Sequence, residues 1–126
     1  MTRAIALAAA LLLATGAPAE GSKPGPWHGP VSASWYGPGY YGNRTACGQR
    51  YTRWIVGVAT WLPLRCGTRV ELRWRGHRVI APVIDRMPRH SRPFDLSAHI
   101  ACELLNGPRL QGVCWTRSGV TWRVVR

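Results

Sequence analysis

The chain has 126 residues, 17 Lys and Arg against 5 Asp and Glu, a formal net charge of +12 and 46% hydrophobic residues. That length holds one domain of ordinary size, and 14 Gly with 10 Pro disfavour long helical bundles. A multidomain enzyme and a polytopic membrane protein are excluded, and seven Trp among many Val, Ile and Leu argue against disorder.

Residues 1–19 have the layout of a cleaved export signal. Met1-Thr2-Arg3 is a basic start, Ala4 to Leu13 is an apolar run too short to span a bilayer, and Ala17-Pro18-Ala19 precedes Glu20. No Cys stands near the cleavage point, so an exported, periplasmic or extracellular protein is expected, with neither a lipid anchor nor a transmembrane span. Residues 20–30 read as a flexible Gly- and Pro-rich leader, and 31–126 as the domain.

The first predicted strand is Val31 to Tyr36, broken by Gly37-Pro38-Gly39, and Tyr40 to Arg50 is a polar loop. After a short apolar run from Ile55 to Ala59, Thr68 to Trp74 alternates: Val70, Leu72 and Trp74 against Arg69, Glu71 and Arg73. Arg75-Gly76 is a turn signal, so His77 to Ile84 completes a hairpin. Pro82 places that strand at an edge or a bulge. One helix is expected over Ala98 to Leu105, capped by Asp95, Leu96 and Ser97 and stopped at Asn106-Gly107. Val113 to Trp115 and Val120 to Val125 are closing strands around a Ser118-Gly119 turn. Many short strands with one short helix predict a small, mainly β barrel.

Cys47, Cys66, Cys102 and Cys114 form an even set in a small exported domain, which favours two disulfides. Three pairings exist, and sequence proximity favours Cys47 with Cys66 and Cys102 with Cys114. No Cys-x-x-Cys pair occurs, and His28, His77, His90 and His99 show no ligand spacing, so neither a metal nor a cofactor is expected. No Gly-x-Ser-x-Gly segment supports a serine nucleophile.

The acids narrow the chemistry. Glu20, Glu71 and Glu103 read as solvated, which leaves Asp85, at the end of Val83-Ile84-Asp85-Arg86, and Asp95, after Phe94. The Met87 to Pro93 segment can fold back and bring both to one cleft. Paired carboxyls suit glycosidic chemistry, in which one gives a proton to the leaving oxygen and the other stays ionised.

Ser34-Trp35-Tyr36-Gly37-Pro38-Gly39, Gly42-Asn43-Arg44-Thr45-Ala46-Cys47-Gly48, Cys66-Gly67-Thr68-Arg69-Val70, Val83-Ile84-Asp85-Arg86 and Phe94-Asp95-Leu96-Ser97 occur in this order. Together they resemble the double-psi β-barrel domain of the rare lipoprotein A (RlpA-like) family, related to expansin N-terminal and barwin-like domains. The resemblance runs from about Val31 to Gly107. It implies a six-stranded double-psi barrel and the activity of lytic transglycosylases, which cleave the MurNAc–GlcNAc bond of peptidoglycan without water. It also implies Asp85 as the general acid and Asp95 as the second carboxylate. Where active members usually carry a His, this chain has Thr60 or Trp61, and the Gly after Asp-Arg is Met87. Three functions therefore stand: cleavage of glycan strands; a non-catalytic, expansin-like module that binds or loosens the wall; and a cationic secreted protein that acts on anionic surfaces or nucleic acid with the barrel as scaffold.

Trp35, Tyr36, Tyr40, Tyr41 and Trp61 cluster near the expected cleft and can stack on sugar faces, and Arg86 adjoins Asp85. The positive charge fits anionic wall polymers outside the cell rather than nucleic acid. A monomer is expected.

Overall fold

The computed structural model describes residues 23–126. The expected export signal and its cleavage point lie outside these residues. Six strands close into one barrel: β1 His28–Tyr36, β2 Val58–Thr60, β3 Arg69–Trp74, β4 His77–Arg86, β5 Phe94–Ser97 and β6 Arg117–Val125, in the order β1-β5-β2-β4-β3-β6. β1 with β5 and β2 with β4 run parallel, and the other four pairs run antiparallel. This is the double-psi arrangement, disulfide-stapled through Cys47–Cys66 and Cys102–Cys114, the pairing that proximity favours. No helix among the described residues is long and apolar enough to cross a membrane.

The core forms where alternating side chains turn inward. Ala33, Val58, Val70, Leu72, Val83, Phe94, Leu96 and Val120 meet Ile100 and Leu105 of the helical segment, all fully buried. A second cluster of Tyr36, Tyr51, Ala59 and Ile84 lies on the other face of the sheet.

The β3–β4 hairpin is built as the pattern predicts. Trp74 pairs with His77 around Arg75 and Gly76, whose φ values of 46° and 79° make the double left-handed turn that matches strand twist. A closed barrel has no edge to receive Pro82, and the irregularity falls just after it. Val58 pairs with Val83, but Ala59 pairs with Asp85, so Ile84 is an extra residue. Gly57 makes room for it, since a Cβ there would lie 2.5 Å from Ile84 Cδ1.

Other expectations change in the structure. β1 starts at His28, and Gly25 N–H already bonds Val124 O at 2.7 Å, so the latter part of the expected leader lies along β6. Asp95 is a residue of β5 and caps no helix. The first helical N–H, of Ala98, is taken by the Tyr51 hydroxyl at 2.9 Å. The helix itself has π pitch over Ile100–Leu104, closed by Leu105 N–H to Ile100 O.

Val113 to Trp115 forms no strand, and the Asn106 side-chain amide gathers the carbonyls of Cys102, Leu110 and Val113. Ser118-Gly119 lies inside β6, with Gly119 at φ 80°, and makes no turn. Glu71 is 1% exposed instead of solvated, covered by Arg73, Arg78 and Arg123. Glu103 is likewise paired, with Arg53 and His99.

Candidate functional site

Four registered positions form one row across four strands. Ser34 on β1 pairs with Asp95 on β5, Asp95 with Ala59 on β2, and Ala59 with Asp85 on β4. Residues in one row project from the same sheet face, here the face opposite Ala33, Val58 and Leu96. Two strand spacings, about 10 Å between Cα atoms, separate the two aspartates. Only the methyl group of Ala59 stands between them in this row.

Each carboxylate is held on one oxygen. Asp85 Oδ1 accepts the Ala46 N–H at 2.8 Å and its neighbour Arg86 N–H at 2.9 Å. Asp95 Oδ1 accepts the Ser34 hydroxyl proton. Ala46 reaches Asp85 because the 40–50 loop is fixed to the bulge: Cys47 N–H donates to Ile84 O at 3.2 Å, and Cys47 is tied to Cys66.

The row floors a cleft with two lobes. The smaller, about 190 Å³, has Tyr36, Tyr40, Ala59, Asp85 and Arg86 on its walls. The larger, about 260 Å³, has Ser34, Arg89, His90 and Arg92. Asp95, Met87 and Pro88 line both. The structure therefore brings both predicted aspartates to one cleft.

Tyr36 lies two positions beyond Ser34 on the same face of β1, 9% exposed, with its hydroxyl close to the Asp85 carboxylate. Burial first, then the Asp85 carboxylate, raises the phenol far above its usual range and keeps it protonated. Tyr40 is 56% exposed and meets Tyr36 edge-on at 5.5 Å. Arg86 donates to Leu62 O at 2.7 Å and Leu64 O at 2.8 Å, which holds it at the cleft wall.

The other predicted aromatics line neither lobe. Trp35 packs against the core, Tyr41 stacks on Tyr51, and Trp61 donates its Nε1–H to Arg92 O at 3.0 Å with Arg89 over its ring. Trp61 thus supports the 89–92 wall from behind. Thr60, the other residue at the family's His position, is fully buried and donates to Pro93 O at 2.7 Å. Among the described residues no three His, Cys, Asp or Glu side chains gather as metal ligands would.

Sequence reasoning missed Ser34, Tyr51 and the Ala46 N–H. Alternation from Tyr36 was signal enough for Ser34. Tyr51, whose hydroxyl bridges β1 and the helix start, and Ala46 are brought in by the loop fold and leave no mark in a local pattern.

No protein-family model matches the chain. It is 42% identical over 72 residues to a Synechocystis sp. protein described as "Probable endolytic peptidoglycan transglycosylase RlpA". That match covers 55% of this chain and 22% of the relative, so the chain spans about a fifth of the relative's length. Among solved structures, the Streptomyces papain inhibitor superposes with a TM-score of 0.57 at 26% identity, over 82% of this chain and 97% of the inhibitor. With the closed barrel and the aspartate row, these likenesses support an RlpA-like double-psi β-barrel domain in this chain.

Proposed function

We propose that the protein is exported and cleaves peptidoglycan glycan strands as a lytic transglycosylase, with Asp85 as general acid and Asp95 as base. The observation that carries this reading is the Asp85–Ala59–Asp95 row on the floor of one cleft. Two disulfides fit an oxidising compartment.

With Oδ1 of Asp85 occupied by two backbone N–H groups, Oδ2 is the oxygen left to carry a proton to the leaving GlcNAc O4. As the C1–O4 bond breaks, the C6 hydroxyl oxygen of the same MurNAc bonds C1, and its proton passes to Asp95. No water is consumed, and the product ends in a 1,6-anhydro sugar. Ser34 keeps Asp95 oriented toward that hydroxyl. Tyr36, Tyr40 and Arg86 bound the sugar on the acid side.

Digestion of purified glycan strands, followed by mass spectrometry, tests this. Products one water lighter than those of hydrolysis are expected. Sedimentation with sacculi and no such product supports the second reading, a domain that binds the wall without cutting it. Thr60 and Trp61 favour that reading, because neither a hydroxyl nor an indole N–H acts as a base near neutral pH, and both donate to the 92–93 backbone. Since a papain inhibitor has this fold, inhibition of papain is measured alongside; potent inhibition without sacculus binding contradicts both readings.

A further inference from the structure

On β3, Arg69, Glu71 and Arg73 point away from the core residues Val70 and Leu72. Arg78 of β4 is registered against Arg73, and Arg123 of β6 against Glu71. Glu71 receives Arg73 at 3.2 Å and Arg78 at 3.6 Å on Oε1, and Arg123 at 2.9 Å on Oε2. One carboxylate holds three guanidiniums in place and neutralises the charge of one. Arg73 and Arg78 remain 48% and 60% exposed. Trp27 is wedged between Arg73 and Arg123, each 4.5 Å from its ring centroid, and keeps them spread.

The charge continues past Arg69 into a groove of about 470 Å³, where Arg65 and Arg126 join it and no Asp or Glu side chain takes part. The other described acids are remote or committed: Glu103 binds Arg53 and His99, and Asp85 and Asp95 belong to the cleft. In the closed order β3 lies three strands from β5 in either direction, so this face looks away from Asp95.

We propose that this face is a second binding site, for a flexible, linear phosphodiester polymer. The cations spread over three strands: Arg69 and Arg73 stand about 13 Å apart along β3, Arg78 on β4 lies about 5 Å from Arg73 across the hairpin, and Arg123 flanks β3 on the β6 side. A chain of regularly spaced anions reaches all of them, whereas a single small anion reaches one or two. The patch spans three strands of a curved barrel wall, which a flexible strand can track and a flat layer of headgroups cannot. The tetrahedral phosphodiester, with two non-bridging oxygens, suits neighbouring forks such as those of Arg73 and Arg78. Because the two sites face opposite ways, polymer binding leaves the cleft open and raises the local concentration of the domain at a wall that carries both polymers.

The test is binding to immobilised long-chain inorganic polyphosphate, compared with polygalacturonate and with anionic phospholipid vesicles. Polyphosphate is expected to bind most tightly, and a rise from about 0.05 to about 0.5 M salt to weaken it about tenfold or more. The variant R65Q/R69Q/R78Q, which leaves Arg73 and Arg123 on Glu71, is expected to lose about tenfold or more in affinity. Its glycan cleavage should not change, and its thermal midpoint should fall only by the share of Glu71 pairing that Arg78 supplies. If that variant unfolds, R65Q/R69Q decides, since neither residue contacts a carboxylate among the described residues. Unaltered polyphosphate binding by a folded variant overturns the site. Tighter binding to polygalacturonate or to vesicles overturns the phosphodiester assignment.

Discussion

Tyr51 locks Tyr36 to the start of the helix. Its hydroxyl donates to the Tyr36 carbonyl and accepts the Ala98 N–H at 2.9 Å, and its ring stacks on Tyr36 with centroids 4.2 Å apart. Tyr51→Phe keeps the ring and leaves two buried backbone groups unpaired. A loss of about 2 kcal/mol in unfolding free energy is expected. Urea denaturation checks it, and an unchanged midpoint would show that the bridge contributes nothing.

The space between the aspartates depends on a methyl group. Ala59 is 3% exposed and separates Asp85 from Asp95 in the row. Ala59→Leu puts a branched side chain into the cleft floor at a cost of about 1–3 kcal/mol in stability. Loss of sacculus binding together with cleavage is expected, while Ser34→Ala should lower cleavage and spare binding. Sedimentation and product assays on both variants separate the two effects; normal binding by Ala59→Leu would place the substrate elsewhere.

The Cys47–Cys66 disulfide holds the loop that supplies the Ala46 donor to Asp85. Replacing both by Ser removes a closure across 19 positions, and a loss of about 3 kcal/mol is expected. Cleavage should fall further than the folded fraction does, as measured by activity per folded molecule below the melting range. Equal losses would mean that the loop needs no tether to present Ala46.

What could be read along the chain was local. Alternation from Val70 to Trp74 and the Arg75-Gly76 signal define the hairpin, and Asp85 and Asp95 stand out in a chain poor in acids. The bulge at Ile84 was not legible in its position, yet it sets the site: without the extra residue Ile84 would stand beside Ala59 and Asp85 beside Thr60. Asp95 resembles a helix cap by its place ahead of Ala98, but the cap comes from Tyr51, 47 positions away. Glu71 looks solvated within β3 and is buried because arginines from β4 and β6 arrive over it. Each of these outcomes depends on strands distant in sequence.

Stability should form a plateau bounded on both sides. Burial works against the Glu71 charge, but the Arg123 hydrogen bond and charge, followed by Arg78 and Arg73, outweigh it and hold the carboxyl below 4.5. Burial likewise opposes the Glu103 charge, and Arg53 and His99 outweigh it. A depressed carboxyl pKa gives stability that is present above the unfolded value and is lost as pH falls through the folded one. At the alkaline end, burial pushes Tyr51 up to about 12 from 10.0 and raises Tyr36 further. A raised phenol pKa gives stability that is complete below pH 10 and declines as pH rises through the folded value. Thermal midpoints across pH should therefore fall below about 4.5 and above about 10. Glu71→Gln should flatten the acid limb; an acid limb identical to wild type would deny Glu71 its part.

The paired action of the aspartates is tested most directly by anhydro-product formation from glycan strands with Asp85→Asn, Asp95→Asn and the double variant, each first shown to be folded and to bind sacculi. If the carboxyls serve one bond, each single variant loses cleavage by about a hundredfold or more, and the double variant loses little beyond that. Wild-type product yield from Asp85→Asn would contradict the account.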